Sequence, residues 1–199
     1  MIDGPDHLET VLDEGFVAPG PGPSAAVAAV LRAGSGGTEM LFIERAARTG
    51  DPWTGQIAFP GGRTDPGDPH SHGTAARETL EEIGLDLTRL RHLGRLSGQE
   101  GGPRGSRQRL AVTPHVCWLE GPPPELTLNY EVADALWVPV DRIADRRHHI
   151  DYEYPPLGSQ LWPGIRLDER RVLWGLTLRM TEDLFTRLGR PLGLYSPGR

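Results

Sequence analysis

Residues 61–85 read GGRTDPGDPHSHGTAARETLEEIGL, and the order of side chains in this stretch decides how the rest is read. From 63 to 73 the segment carries no apolar side chain except its prolines, so it reads as a loop. From Thr74 onward it can sustain a helix, and Gly84 stands where a left-handed residue closes one. Set on a helix at about 100° per residue, Glu78, Glu81 and Glu82 fall within an arc of about 100°. Ala76, Thr79, Leu80 and Ile83 fall opposite, which predicts an apolar back laid on a sheet and a front of three carboxylates.

Such a front is self-repelling. Glu78 lies three and four residues from Glu81 and Glu82, and each like-charge pair costs a few tenths of a kcal/mol. Only Arg77, four residues before Glu81, offsets this locally. A hard divalent cation reverses the sign, because Mg²⁺ favours carboxylate and carbonyl oxygens and draws phosphates into its shell. Gly61-Gly62 adds a backbone without side chains that approaches a ligand closely and offers it a carbonyl. An acidic face turned to solvent is the plainer reading, but it gives no reason for the glycine pair.

The segment from Gly62 to Leu85 resembles the Nudix box: Gly, five residues, Glu, seven residues, then Arg-Glu-apolar-x-Glu-Glu-x-Gly-apolar. The resemblance implies an α/β/α sandwich with a mixed β-sheet, and hydrolysis of a nucleoside diphosphate linked to another moiety. It implies Mg²⁺ or Mn²⁺ as cofactor. By position, Glu78, Glu81 and Glu82 match the metal-binding carboxylates. Gly61 matches the residue whose carbonyl joins them, and Arg77 the arginine that orients a glutamate. Three positions depart from the pattern: Asp68 stands for the first Glu, one extra residue precedes Arg77, and Thr79 takes an apolar place. The first two fall in a loop, where insertion is cheap.

A longer stretch is similar to the coenzyme A diphosphatase branch of that family. It includes Gln56-Ile57-Ala58-Phe59-Pro60-Gly61-Gly62, Asp65 and Asp68, Val112-Thr113-Pro114-His115-Val116, and Trp174-Gly175-Leu176-Thr177. That branch usually has a His where this chain has Trp53. The longer resemblance, and not this position, implies coenzyme A or an acyl derivative as one expected substrate, beside ADP-ribose, NADH and dinucleoside polyphosphates. Glu131 resembles a loop glutamate that serves some Nudix enzymes as base or extra ligand, so the resemblance leaves Glu81 and Glu131 as candidates for the base. Arg45, Arg48 and Arg107 offer forked donors suited to phosphate oxygens, with Arg104 and Arg109 as further members of the set. Trp53 offers a face for a base. His70 and His72 read as loop residues, since hard-metal chemistry needs no imidazole. A nucleotide-binding module without turnover would tolerate loss of a helix glutamate, and Glu78, Glu81 and Glu82 are all present.

The bulk of the chain narrows the classes further. Its 199 residues suit one domain, and a net charge of −6 speaks against a nucleic-acid partner. No apolar run reaches membrane-spanning length. The first 16 residues lack the basic start and apolar centre of a signal peptide. A lone cysteine, Cys117, reads as a small buried residue of a strand and fits a reducing, cytoplasmic setting. The expected organisation is a helix and Gly/Pro linker over residues 1–23, a catalytic domain over 24–190 and a tail over 191–199, with a small nucleotide diphosphate as substrate and a homodimer as one option.

Along the chain, an amphipathic helix is expected over residues 6–16. A hairpin is expected from 25–31 to 39–44 through Gly34-Ser35-Gly36-Gly37, and a short strand over 56–59 ended by Pro60-Gly61-Gly62. Further strands are expected over 93–96, 110–119 and 136–140, with a helical turn over 141–144. Residues 152–167 read as an irregular lid. Val172, Leu173, Leu176, Met180, Leu184 and Phe185 recur at helical spacing, which predicts a long helix over 170–188.

Overall fold

The computed structural model describes residues 4–18, 22–48, 54–102 and 109–195. Strands β1 (Ser24–Gly34) and β2 (Gly37–Arg45) form the expected hairpin, but they pair only near its tip, from Leu31↔Met40 to Gly34↔Gly37. Beyond Leu31 they fork. The next segment fills the fork: β3 (Ile57–Ala58) pairs with β2, and β4 (Gly61–Arg63) pairs with β1. The chain changes partner at Pro60, whose carbonyl accepts from Ala28 N at 2.8 Å. The glycine pair, expected to end a strand, thus begins one.

The sheet grows outward from this wedge. β5 (Arg91–Arg95) and β6 (Gln99–Gly101) both pair with β7 (Leu110–Leu119), which runs parallel to β1 over nine registered residues from Ser24↔Ala111 to Arg32↔Leu119. On the other side β8 (Val132–Pro139) lines the free edge of β2. One parallel pair among antiparallel ones makes the sheet mixed.

Side chains alternate across it, as a pleat requires. Ala26, Ala28 and Val30 of β1 join Leu41, Ile43 and Cys117 in a core with Ala75 and Ile83 of helix α2 (Ser71–Ile83), writing α1 for Pro5–Glu9. Ala25, Ala29 and Leu31 face the other way, toward Met40, Phe42, Val116 and Trp118. That second core is closed by Ile143 of α3 (Val140–Ala144) and by Leu178, Met180 and Phe185 of α4 (Gly175–Arg187). The result is the expected α/β/α sandwich with a mixed sheet. Cys117 is fully buried, and burial pushes its thiol up to about 12.

Four expectations need correction. The first helix covers only Pro5–Glu9; Asp13 leaves it to bridge Arg95 of β5, while Leu8 and Leu12 still enter the core. Residues 152–167 are not irregular: β9 (His149–Glu153), β10 (Leu161–Arg166) and β11 (Val172–Trp174) form a separate antiparallel sheet. Arg171 pins it to the main sheet, bonding Glu44 at 2.8 Å, Asp168 at 2.9 Å and Asp134. The last helix accordingly starts at Gly175, because Val172 and Leu173 pair with β10. α2 begins three residues early, at Ser71, capped by His70 Nδ1, which accepts from Gly73 N at 3.0 Å.

Candidate active site

The wedge and α2 together build the site. α2 packs on the sheet through Ala75, Thr79 and Ile83 and ends at Gly84 with φ 71°, as expected. Its buried arc is turned from the one expected, however. Leu80 is 51% exposed, while Glu82 is only 3% exposed. The helix touches β4 as well as β1, so its inward face includes a carboxylate.

Glu82 Oε2 accepts from Gly61 N at 2.8 Å. Removal from water pushes its carboxyl up to about 7, against the pull of that bond, with the Glu78 charge adding to the rise. Glu78 is also raised, by burial first, with Arg77 pulling it down. Its carboxylate lies over Gly62, and a Cβ there would run into it. Gly61 has φ 140°, and a Cβ there would meet the Ala26 carbonyl and the Val27 Cα. The two glycines therefore answer different needs: Gly61 lets β4 enter the fork, and Gly62 leaves room for a carboxylate.

Arg77 organises the acidic residues. Its Nε and Nη2 grip Asp68 at 3.0 Å each, Nη2 also donates to the Arg63 carbonyl at 2.9 Å, and Nη1 reaches Glu78 at 3.0 Å and Glu81 at 3.3 Å. Asp68, 9% exposed, also accepts from Asp65 N and the Thr74 hydroxyl. The Arg77 guanidinium holds the Asp68 carboxyl down at about 2. A forked, buried pair of this kind fixes geometry as well as charge. The sequence marked Asp68 as a departure from the box and as part of the longer resemblance, and in the structure it is the residue that seats Arg77.

Glu131 reaches the site through the backbone. Asn129 N donates to the Glu82 carbonyl at 2.9 Å, Asn129 Oδ1 accepts from Glu131 N at 2.7 Å, and Ala46 N donates to the Glu131 carbonyl at 2.8 Å. The Glu131 and Arg45 charges act on Glu82 in opposite senses. Arg48 bonds Glu131 Oε1 at 2.9 Å and lies over the Tyr130 ring at 4.8 Å. The structure therefore gathers Gly61, Arg77, Glu78, Glu81, Glu82, Arg45, Arg48 and Glu131 around one end of α2. Arg109 stands apart, 4.0 Å from Glu100. Trp53, Arg104 and Arg107 lie outside the described residues.

A NUDIX domain matches residues 22–157. The chain belongs to the Nudix family. A curated relative, the "Uncharacterized Nudix hydrolase NudL" of Yersinia pestis (strain Pestoides F), is 30% identical over 146 residues, covering 72% of this chain and 70% of the relative. Two solved structures share the fold. A MutT/nudix family protein from Enterococcus faecalis has a TM-score of 0.57 at 14% identity, covering 88% of this chain and 65% of the other. The M. smegmatis Nudix hydrolase RenU has a TM-score of 0.51 at 24% identity, covering 66% and 83%. This Nudix protein is a hydrolase. No helix among the described residues is long and apolar enough to cross a membrane.

The acidic residues fit the divalent ion that Nudix hydrolases use. Among the described residues no three acidic or imidazole groups converge on one point as they stand; Arg77 lies between Glu78 and Glu81. The donors on offer are nonetheless all hard oxygens, two of them on carboxyls whose burial a cation would compensate. The bare Cα of Gly62 keeps the approach to Glu78 open.

Proposed function

We propose that this hydrolase cleaves the diphosphate link of a nucleoside diphosphate derivative, with coenzyme A or an acylated form as the leading substrate. One observation carries the reading: a buried Glu82 and a half-buried Glu78 set against a glycine pair that gives them room. Glu82 is buried with a backbone N–H as its hydrogen-bond partner; burying a carboxylate in that way costs several kcal/mol, and a bound cation would remove that cost.

In this reading Glu78, Glu81, Glu82 and the Gly61 carbonyl would hold Mg²⁺ or Mn²⁺, which would supply charge neutralisation for the diphosphate and favour deprotonation of the attacking water. The protein's own groups do the rest. Asp68 seats Arg77, and Arg77 fixes Glu78 and Glu81 in register with the glycine turn. Glu81 or Glu131 takes the proton of the attacking water; Glu131 is tied to the site through Asn129. Arg45 and Arg48 would supply forked donors to the diphosphate or to a ribose phosphate. Support for coenzyme A comes from the residues around the glycine pair and from Trp174-Gly175-Leu176-Thr177, which forms the junction of β11 and α4.

Mass spectrometry of products from coenzyme A, ADP-ribose, NADH and dinucleoside polyphosphates under Mn²⁺ tests both levels. The expected products from coenzyme A are 3′,5′-ADP and a phosphopantetheine. A kcat/KM for coenzyme A about tenfold or more below that for ADP-ribose would reject the coenzyme A assignment, and no cleavage of any diphosphate would reject the hydrolytic reading of the site.

A further inference from the structure

Away from the glutamates, at the other end of α2, four histidines meet; the sequence read His70 and His72 as loop residues and His115 as part of a strand. His70 and His72 come from the start of α2, His92 from β5 and His115 from β7. The rings of His72 and His92 lie 4.5 Å apart edge to face, and His72 and His115 lie 5.3 Å apart. His92 Nε2 is 3.0 Å from His115 Nδ1, and His115 Nε2 is 2.8 Å from the Ser71 hydroxyl. Phe16 closes the group from outside, stacked on His70 at 4.3 Å and on His72 at 5.3 Å, with His92 at 5.1 Å. Val17 N donates to Ser71 Oγ at 3.1 Å, and Ser71 N donates to the Val17 carbonyl at 2.9 Å.

We propose that residues 13–17 are a clasp on the Nudix domain, fastened by the neutral form of this four-histidine cluster and released when the cluster takes up protons.

The hydrogen-bond geometry carries the argument. The junctions His92–His115 and His115–Ser71 each have room for one hydrogen, and neutral rings satisfy both: either each ring donates its one N–H toward Ser71, or the Ser71 hydroxyl donates to His115 and His115 to His92. With both His92 and His115 protonated, two N–H groups would point at each other across 3.0 Å. His72 adds to the effect: its Nε2 is buried without a hydrogen-bond partner, so a charge there has neither water nor an acceptor. Among the described residues the charges acting on His72, His92 and His115 are the other imidazoles and Arg95, and Glu14 of the N-terminal segment is exposed. The facing groups from β5 and the N-terminal segment are Arg95 and Asp13, and Asp13 is already held by Arg95 at 3.4 Å and Arg187 at 3.0 Å. β1 presents Ala28 opposite His115. Burial, then the neighbouring imidazoles, hold His72 down at about 4, and burial foremost holds His115 at about 3. Protons are therefore bound more readily by the opened cluster than by the closed one, and opening becomes easier as pH falls below the ordinary imidazole value of 6.5. Ser71 is the first residue of α2, so release also frees the start of the helix that carries the glutamates.

Hydrogen exchange of the whole chain, corrected for the intrinsic pH dependence of exchange, reads this directly. Protection over residues 13–17 is expected to fall about tenfold or more from pH 7 to pH 5, while residues 28–31 of β1 stay protected. In the double variant His72→Phe/His92→Phe the fall is expected to shrink to about threefold or less. Should that variant not fold, His72→Phe alone is expected to lose at least about threefold less protection than wild type. Phe16→Ala is expected to expose the segment already at pH 7. Equal protection at both pH values in wild type, or an undiminished fall in the histidine variants, overturns the clasp.

Discussion

Replacing Glu82 by glutamine should abolish turnover and, in metal-free protein at alkaline pH, make the protein more stable. The carboxyl is 3% exposed and raised from 4.5 to about 7. A folded-state value above the unfolded one means that the ionised group weighs against folding. Stability is then greatest below pH 4.5 and is lost as pH rises through 7, reaching about 3 kcal/mol by pH 8. Gln keeps the acceptor for Gly61 N and removes the charge. Its amide NH₂ is left partly unpaired, which returns about 1–2 kcal/mol. The net expectation is a gain of about 1–2 kcal/mol at pH 8 in EDTA, or a rise in Tm of about 2–8 °C. At pH 5, where Glu82 is protonated in the fold, the gain should vanish or change sign. Adding Mn²⁺ should stabilise wild type and not the variant, while kcat of the variant falls about 10²-fold or more. Differential scanning fluorimetry at the two pH values, with and without EDTA, measures all of this. A variant less stable than wild type at pH 8 in EDTA, or equally stabilised at pH 5, would refute the account of Glu82 as a charge buried for a cation.

The two glycines should fail differently. Gly61→Ala is expected to cost about 3 kcal/mol or more, because its Cβ meets backbone of β1 and φ is 140°, whereas Gly62→Ala displaces only the end of Glu78 and should keep Tm while losing about 10²-fold in kcat; urea melts and rates separate them. Asp68→Asn unseats Arg77 and should cost about 2–3 kcal/mol in denaturant unfolding, with weaker Mn²⁺ binding by calorimetry. Exhaustive EDTA treatment is expected to stop turnover and Mg²⁺ or Mn²⁺ to restore it; full activity in EDTA would remove the glutamates from the metal.

Much of this molecule could be read locally. The β1–β2 hairpin, the stop at Gly84 and the burial of Cys117 follow from turn glycines and short-range periodicity. The glutamates were legible because helical spacing alone puts them on one face. What failed depended on partners distant in sequence. Val172 and Leu173 fit the period of α4, but pairing with Arg166 and Ile165 claims them for a strand. Pro155, Pro156 and Pro163 hid the second sheet by interrupting its alternation. The phase of α2 was misjudged at Leu80 and Glu82 because β4 packs beside the helix, and no pattern within residues 74–83 reports a second neighbour. The histidine cluster joins residues 70, 72, 92 and 115 through the β5–β7 register, which no single stretch encodes.

The fork between β1 and β2 also sets an order of assembly. The hairpin can form early from contacts a few residues apart, but the parallel partner of β1 lies some 87 residues further along the chain, since Ser24 pairs with Ala111. Closing so long a loop is slow and entropically opposed until the strand pairs behind it are made. The wedge of residues 57–63 has edges on both arms of the fork, so it seats firmly only once β1 is held from its far side. The glutamate helix, which packs on that wedge, is then expected to settle only after β7 has paired with β1. Excised peptides spanning the box should accordingly be unstructured, and a ribosome-bound chain halted before β7 emerges should carry every proposed glutamate of the α2 face and yet bind no metal.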